Sequence, residues 1–384
     1  MRLKTEGGPK RAVLLALASI VVAACGGGDG DSPAAVPRVP SVVSGVSGTF
    51  SQDLSITITG SAFGSNADGG PMLYDNFDDP TGYIVTSAGV GKEPQIHAGA
   101  LSSYTAWVRD GGGEFDTHAI TQDSSFPKAH STYHARMNFD SNLGNFWGLN
   151  LHVPHQVGTG DELYVTFYFR FTKTHANYGR QIKSMVWYSG GSNDQGYFNA
   201  ALGTCQPNDV WRGELLDVSY TGSTGVSAQA TNGEWVRQEL YFKQSAPSTA
   251  NGNLYGAIYR PTGTPSFNAS VSGNIVTRTD SLVWSDWYFG GGYYDDCPPP
   301  DGGETSTVDV DEFYMDDTLA HVEVCDSPTW AARTKCELQL PTAWSDTSIT
   351  ATFKLGYLNP GAAYVYVMNA GGGVNAQGFL ITIP

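Results

Sequence analysis

Residues 163–171, LYVTFYFRF, alternate apolar and polar or amphipathic side chains without a break. Successive side chains of an extended strand point to opposite faces. Leu163, Val165, Phe167, Phe169 and Phe171 are therefore assigned to a core, and Tyr164, Thr166, Tyr168 and Arg170 to the other face. The two-residue period returns in 131–139, 181–188, 235–243, 254–260 and 307–315. With 47 glycines and 20 prolines among 384 residues to supply tight turns, the chain is expected to be all-β.

The N-terminal residues read differently. Arg2, Lys4, Lys10 and Arg11 flank an apolar stretch, 12–22, that is too short for an ordinary membrane span. This is the pattern of a secretory signal peptide. Val22-Ala23-Ala24-Cys25 resembles a lipobox, which implies removal of residues 1–24, lipidation of Cys25 and a flexible tether over 25–40. An ordinary signal peptide with an incidental cysteine is the alternative. The expected location is the bacterial envelope: anchored by lipid to the outer membrane, on the periplasmic side or at the cell surface. Losing 1–24 removes four bases and one acid (Glu6), taking the formal charge from −16 to −19. Such a charge disfavours nucleic acid as a partner. Four cysteines remain beyond Cys25, an even number in an exported chain, and two disulfides are expected. Three pairings are open. Cys325 with Cys336 closes a short loop and is favoured, leaving Cys205 with Cys297; zinc is the weaker reading, because no close CxxC or histidine pair accompanies them.

Beyond the tether the chain is too long for one small sandwich, so two cores are expected. The run ITITGSAFG (56–64) resembles the opening of IPT/TIG domains, which are immunoglobulin-like sandwiches. The matching later strands, AWSDTSITATF (343–353) and AAYVYVMNAGGGVNAQGFLITI (362–383), stand at the other end of the chain. The resemblance implies a split domain, 41–69 with 319–384, around an insert at 70–318. Within the insert, YVTFYFRF, GRQIKSMVWY, GEWVRQELYFKQ and VDVDEFYMDD resemble strands of concanavalin-like jelly-rolls. That superfamily includes laminin-G-like modules, lectins and heparin-lyase-like and alginate-lyase-like polysaccharide lyases. The expected fold class is thus a jelly-roll β-sandwich inserted into a split immunoglobulin-like β-sandwich.

Parity gathers a distinctive set on the non-core face: Arg136, Arg170, Lys183, Arg237 and Lys243 among Tyr164, Tyr168 and Tyr241, with Glu239 beside them and Tyr255 and Tyr259 on the neighbouring strand. Aromatic rings stack on sugars and guanidinium groups grip carboxylates or sulfates in a bidentate way. An anionic polysaccharide is the expected partner if these strands share one hollow. An ordinary solvated face laced with cross-strand ion pairs is the alternative.

Cleavage by β-elimination needs a carboxylate neutraliser, a base and an acid. In the alginate-lyase-like branch the motifs run RxExR, QIH and YxKxGxY. Arg237-Gln238-Glu239-Leu240-Tyr241 resembles the first and Gln181-Ile182-Lys183 the second, with lysine in place of histidine. Tyr241-Phe242-Lys243 resembles the start of the third; Gln95-Ile96-His97 matches the second literally but lies outside the family order. The resemblance implies Tyr241, Arg237, Gln181 and Lys183 as catalytic candidates, and parity adds His134 on the polar face beside Arg136, provided that they meet in one groove. A lone strand histidine is more often structural than catalytic. Asp75 and Asp78 open the insert while Asp309 and Asp311 close it, so a structural calcium ion is the candidate cofactor and a solvated acidic edge its alternative. The leading expectation is an exported lipoprotein that binds, and is a candidate to cleave, an anionic polysaccharide. A non-catalytic surface adhesion or envelope-assembly protein is the competing class.

Overall fold

The structure is a computed structural model that describes residues 38–79, 96–97, 108–109, 120–125, 127–140, 146–147, 149–173, 180–189, 195–202, 210–216, 233–261, 268–278, 283–294 and 305–384. Its first strands are β1 (Val42–Gly48) and β2 (Ser55–Ser61). There follow β3 (Leu73–Asp75), β4 (Ile96–His97), β5 (Val108–Arg109), β6 (Ile120–Asp123), β7 (His134–Asp140), β8 (Phe146–Trp147), β9 (Leu149–Val157) and β10 (Glu162–Lys173). Then come β11 (Arg180–Ser189), β12 (Gln195–Leu202), β13 (Val210–Leu216), β14 (Trp235–Lys243), β15 (Gly252–Tyr259), β16 (Asn268–Ile275), β17 (Trp284–Tyr294) and β18 (Thr305–Asp316). The last are β19 (His321–Cys325), β20 (Cys336–Trp344), β21 (Ser348–Thr352), β22 (Gly361–Met368) and β23 (Phe379–Ile383). A 3-10 turn at Trp330–Ala332 is the only helical element among the described residues.

The two ends of the described chain build one lobe. Its sheet runs β1-β2-β21-β20-β19-β22-β23. Ile58 of β2 lies opposite Ile349 of β21, joining strands almost 300 residues apart. The alternation in ITIT places Ile56 and Ile58 in a core with Val322, Val324, Val365 and Ile381. An irregularity between Pro341 and Ala343 lets β20 pair with β19 at one end and β21 at the other, which folds the sheet over that core.

Between these ends, two antiparallel sheets form the larger lobe, a jelly-roll sandwich. The first runs β16-β15-β14-β10-β18-β3-β4, with β7 also beside β18 and β6 beside β7; the second runs β13-β12-β11-β17-β9-β5, with β8 against β17. Aromatic side chains bridge the sheets: Phe242 packs edge-on against Trp284 and Trp287, and Phe289 against Phe313. The residues that parity assigned to the core at 163–171 do face this interior, all of them buried.

Two features depart from the sequence reading. Strand β11, which holds residues 181–188, belongs to the second sheet and is no neighbour of β14 or β7. In β18 a bulge breaks the parity: Tyr168 of β10 pairs with Asp311 but Thr166 pairs with Tyr314, and Glu312 takes a left-handed backbone (φ 49°). The bulge keeps Val308, Val310, Phe313 and Met315 buried on one side while Asp309, Asp311, Tyr314 and Asp316 share the other.

Candidate functional site

The non-core face of the first sheet carries the expected residues, and the smaller lobe covers it. Every residue from Leu163 to Phe171 is buried, polar and apolar alike. Tyr164 stacks flat on His321 of β19, with ring centroids 4.5 Å apart. Tyr168 donates its hydroxyl hydrogen to Glu337 of β20 at 2.6 Å. Arg237 donates to Glu323 of β19, lies 3.7 Å from Glu239 and rests 4.4 Å from the centre of the Tyr259 ring. Tyr241 joins Tyr74, Tyr164, Tyr314 and Leu340 in an apolar cluster that spans both lobes. The acids expected on a glycan thus come from the protein's own hairpin.

The remaining cations of this face are also matched. Arg136 grips Asp309 through Nε and Nη2 at 2.7 and 2.9 Å, and Arg170 reaches the same carboxylate at 2.7 Å. His134 is fully buried edge-on against Trp235, with Nε2 3.3 Å from Asp309. Lys243 pairs with Glu162 at 2.8 Å at the sheet's rim. Tyr255 lies opposite Tyr241 in the β14–β15 register.

The electrostatics follow from this packing. Burial opposes the charge of Arg237, and Glu323 and Glu239 outweigh it, so the guanidinium stays charged. Burial likewise opposes ionisation of Asp309, but hydrogen bonds from His134 and Arg136 hold its carboxyl below the ordinary value. Burial, reinforced by Glu162, pushes the Tyr241 hydroxyl far above its usual range, so that it stays protonated near neutrality. The one cavity lined by Tyr168, Arg237 and Glu337 measures about 20 Å³, room for a single water and none for a sugar.

The proposed metal ligands do not converge. Asp309 is taken by two arginines, Asp78 accepts the backbone N–H groups of Thr132 and Tyr133 at 2.7 and 2.8 Å, and Asp75 accepts that of Phe77 at 2.9 Å. Among the described residues, only Glu323, Cys325 and Cys336 bring three ligand-type atoms within 4.8 Å, and those two sulfurs are joined in a disulfide. The quartet Asp75, Asp78, Asp309 and Asp311 therefore does not fit a calcium cage. The Cys325 to Cys336 bond agrees with the pairing expected for the shorter loop; Cys25, Cys205 and Cys297 lie outside the described residues.

Gln181 and Lys183 stand elsewhere, on the second sheet. Buried Met185, Trp287 and Phe289 mark its core-facing rows. One register row runs His152–Tyr288–Val186–Tyr197–Glu214 across five strands. Beside it run Lys183–Asn199–Arg212 and the pair Gln181–Tyr294. The candidates Arg237, Tyr241 and His134 thus stand on strands of the first sheet, whereas Gln181 and Lys183 stand on β11 of the second. His152, Asn199, Arg212, Tyr288 and Tyr294 were missed because 149–157, 195–202, 210–216 and 284–294 were not assigned as strands. The alternation in LNLHV (149–153) was the available signal.

A two-lobed all-β protein with a jelly-roll sandwich is the class these features define. Its solved counterparts are similar in kind at low identity. An endo-β-1,4-glucuronan lyase from the fungus Trichoderma reesei is 14% identical, covering 55% of this chain and 92% of its own, with a TM-score of 0.39. An alginate lyase from a Chlorella virus is 10% identical over 56% of this chain and 96% of its own (TM-score 0.37). Lectin II from Ulex europaeus is 11% identical over 52% and 89% (TM-score 0.30). No family model matches the sequence, and no curated protein matches it.

Proposed function

We propose that this protein is an exported lipoprotein, anchored through Cys25, that binds an anionic polysaccharide on the outer face of the second jelly-roll sheet and cleaves it by β-elimination. The observation that carries the reading is the register that sets Lys183, Asn199 and Arg212 in one row beside His152 and Tyr288. This face lies across the sandwich from the smaller lobe. Amide and guanidinium groups suit a uronate carboxylate, and their neutralisation of it acidifies the adjacent C–H. A base, Lys183 or His152, takes that proton; the electron pair forms the new C=C bond as the glycosidic C–O bond breaks, and Tyr288 supplies a proton to the leaving oxygen. Atoms and charge balance without water or cofactor. The smaller lobe, read as the split immunoglobulin-like module, closes the opposite face.

The test is incubation of the mature chain with a panel of uronate and sulfated glycans, following retention and the ultraviolet absorbance of unsaturated products. Lys183→Ala and Tyr288→Phe are each expected to lower turnover by about 10²-fold or more, as loss of a proton-transfer group does, and Arg212→Ala to weaken retention. Absence of both retention and product overturns the reading and favours the non-catalytic adhesion or envelope-assembly protein.

A further inference from the structure

The seam between the lobes holds buried carboxyl groups of two kinds. Glu323 and Glu312 each have a cation within 4 Å. Asp311, Asp316 and Glu337 have none among the described residues, although they are 0%, 1% and 4% exposed, and Asp316 and Glu337 are the two that accept hydrogen bonds from another segment of the seam. Asp316 ends β18, where the chain leaves the jelly-roll, and accepts hydrogen bonds from Asn66 of the segment that leads into it (2.8 Å) and from Tyr314 (3.0 Å). It thereby ties the two connections between the lobes. Glu337 of β20 accepts from the Tyr168 hydroxyl on β10 and from the Tyr357 N–H at 2.7 Å, joining the smaller lobe to the middle of the covered sheet.

We propose that the seam is a pH-operated latch, in which the carboxyl groups of Asp316 and Glu337 fasten the lobes together while they carry a proton. An ionised carboxylate buried without a cation is costly, whereas the neutral acid keeps its hydrogen bonds at far lower cost. The groups facing each one support this assignment. Around Asp316 stand Asn66 and Tyr314 as donors, Tyr164 opposite on β10, and the like charge of Asp317. Around Glu337 stand Tyr168, Tyr357 and the more distant cations Lys128 and Arg237, which moderate the effect without cancelling it. Burial pushes Asp316 up to about 8 and raises Glu337 as well.

The sign follows. Each acid holds its proton in the closed seam at a pH where the opened seam, with its ordinary carboxylates, has released it. Opening is thus favoured as pH rises above the ordinary carboxylate range, by up to about tenfold per pH unit per group, and the contribution of Asp316 levels off above about 8. The latch is independent of any activity on glycans.

Hydrogen exchange of the full mature chain, corrected for intrinsic rates, reads the seam directly in peptides covering 164–168 and 335–341. Protection is expected to fall at least tenfold between pH 6 and pH 8 in the unaltered protein. In Asp316→Asn with Glu337→Gln, which retain acceptors but cannot ionise, protection is expected to be flat. Constant protection in the unaltered protein overturns the latch by itself, even where the double variant does not fold. An equal fall in the folded double variant overturns it too.

Discussion

Asp309 and Asp316 sit seven residues apart on β18, both buried, and their environments drive their acidities in opposite directions. Asp309 is surrounded by Arg136, Arg170 and His134; its folded acidity is depressed, so its stabilisation is complete above the ordinary value of 3.8 and lost as pH falls through the lower, folded one. Asp309→Asn leaves two arginines facing an uncharged amide. It is expected to cost about 3 kcal/mol near pH 7 and less near pH 3, measured as urea unfolding at both pH values; an equal cost at both would contradict the charge argument. Parity in the sequence correctly put Arg170 and Tyr168 on the polar face. It held no information on partners, because Glu323 and Glu337 follow Arg237 by some 90 to 100 residues and no local pattern links them.

Hairpin β19–β20 is the element that closes the jelly-roll face. Its strands carry Glu323 and Glu337, and the disulfide joins them where Cys325 and Cys336 stand opposite each other. Tying residues 11 apart in sequence restricts the unfolded chain chiefly, worth about 2–3 kcal/mol. The double change Cys325→Ser and Cys336→Ser is expected to lower unfolding free energy by that amount, read by denaturant titration under non-reducing conditions. No change would show that the hairpin is held by its seam contacts alone. The turn after β21 is equally constrained: a Cβ at Gly356 would come within 2.0 Å of the Glu337 carboxyl carbon, on a backbone already at φ 50°. At this scale the main strands of the first sheet were legible, β14 to the residue, whereas β9, β12, β13 and β17 of the second were not. Sheet membership was not, since β10 and β11 have the same alternation and only long-range pairing sends them to different sheets.

For the whole molecule, the order of layers is smaller lobe, first sheet, second sheet. Residues 70–318 produced alone would expose the face of β10 and β14, with Arg237 stripped of Glu323 and left with Glu239 alone, and a patch of tyrosines. That fragment is expected to aggregate or unfold while the chain with both lobes remains monodisperse, compared by size-exclusion chromatography and far-ultraviolet circular dichroism. A soluble, folded fragment would mean that the seam is dispensable. The same layering moves the glycan proposal from the first sheet to the second.

Period-two alternation and glycine turns were enough to determine an all-β chain, most strands of the first sheet and which of their side chains share a strand face. Those properties are local: they depend on backbone geometry and on neighbours two residues away. What lies against each face was decided only by the fold, because a polar row is equally compatible with water, a sugar or an acidic strand of the same chain. Here β19 and β20 supply the acids, and the pairing of Arg237 with Glu323 and of Tyr168 with Glu337 is a contact between segments that the linear order keeps apart.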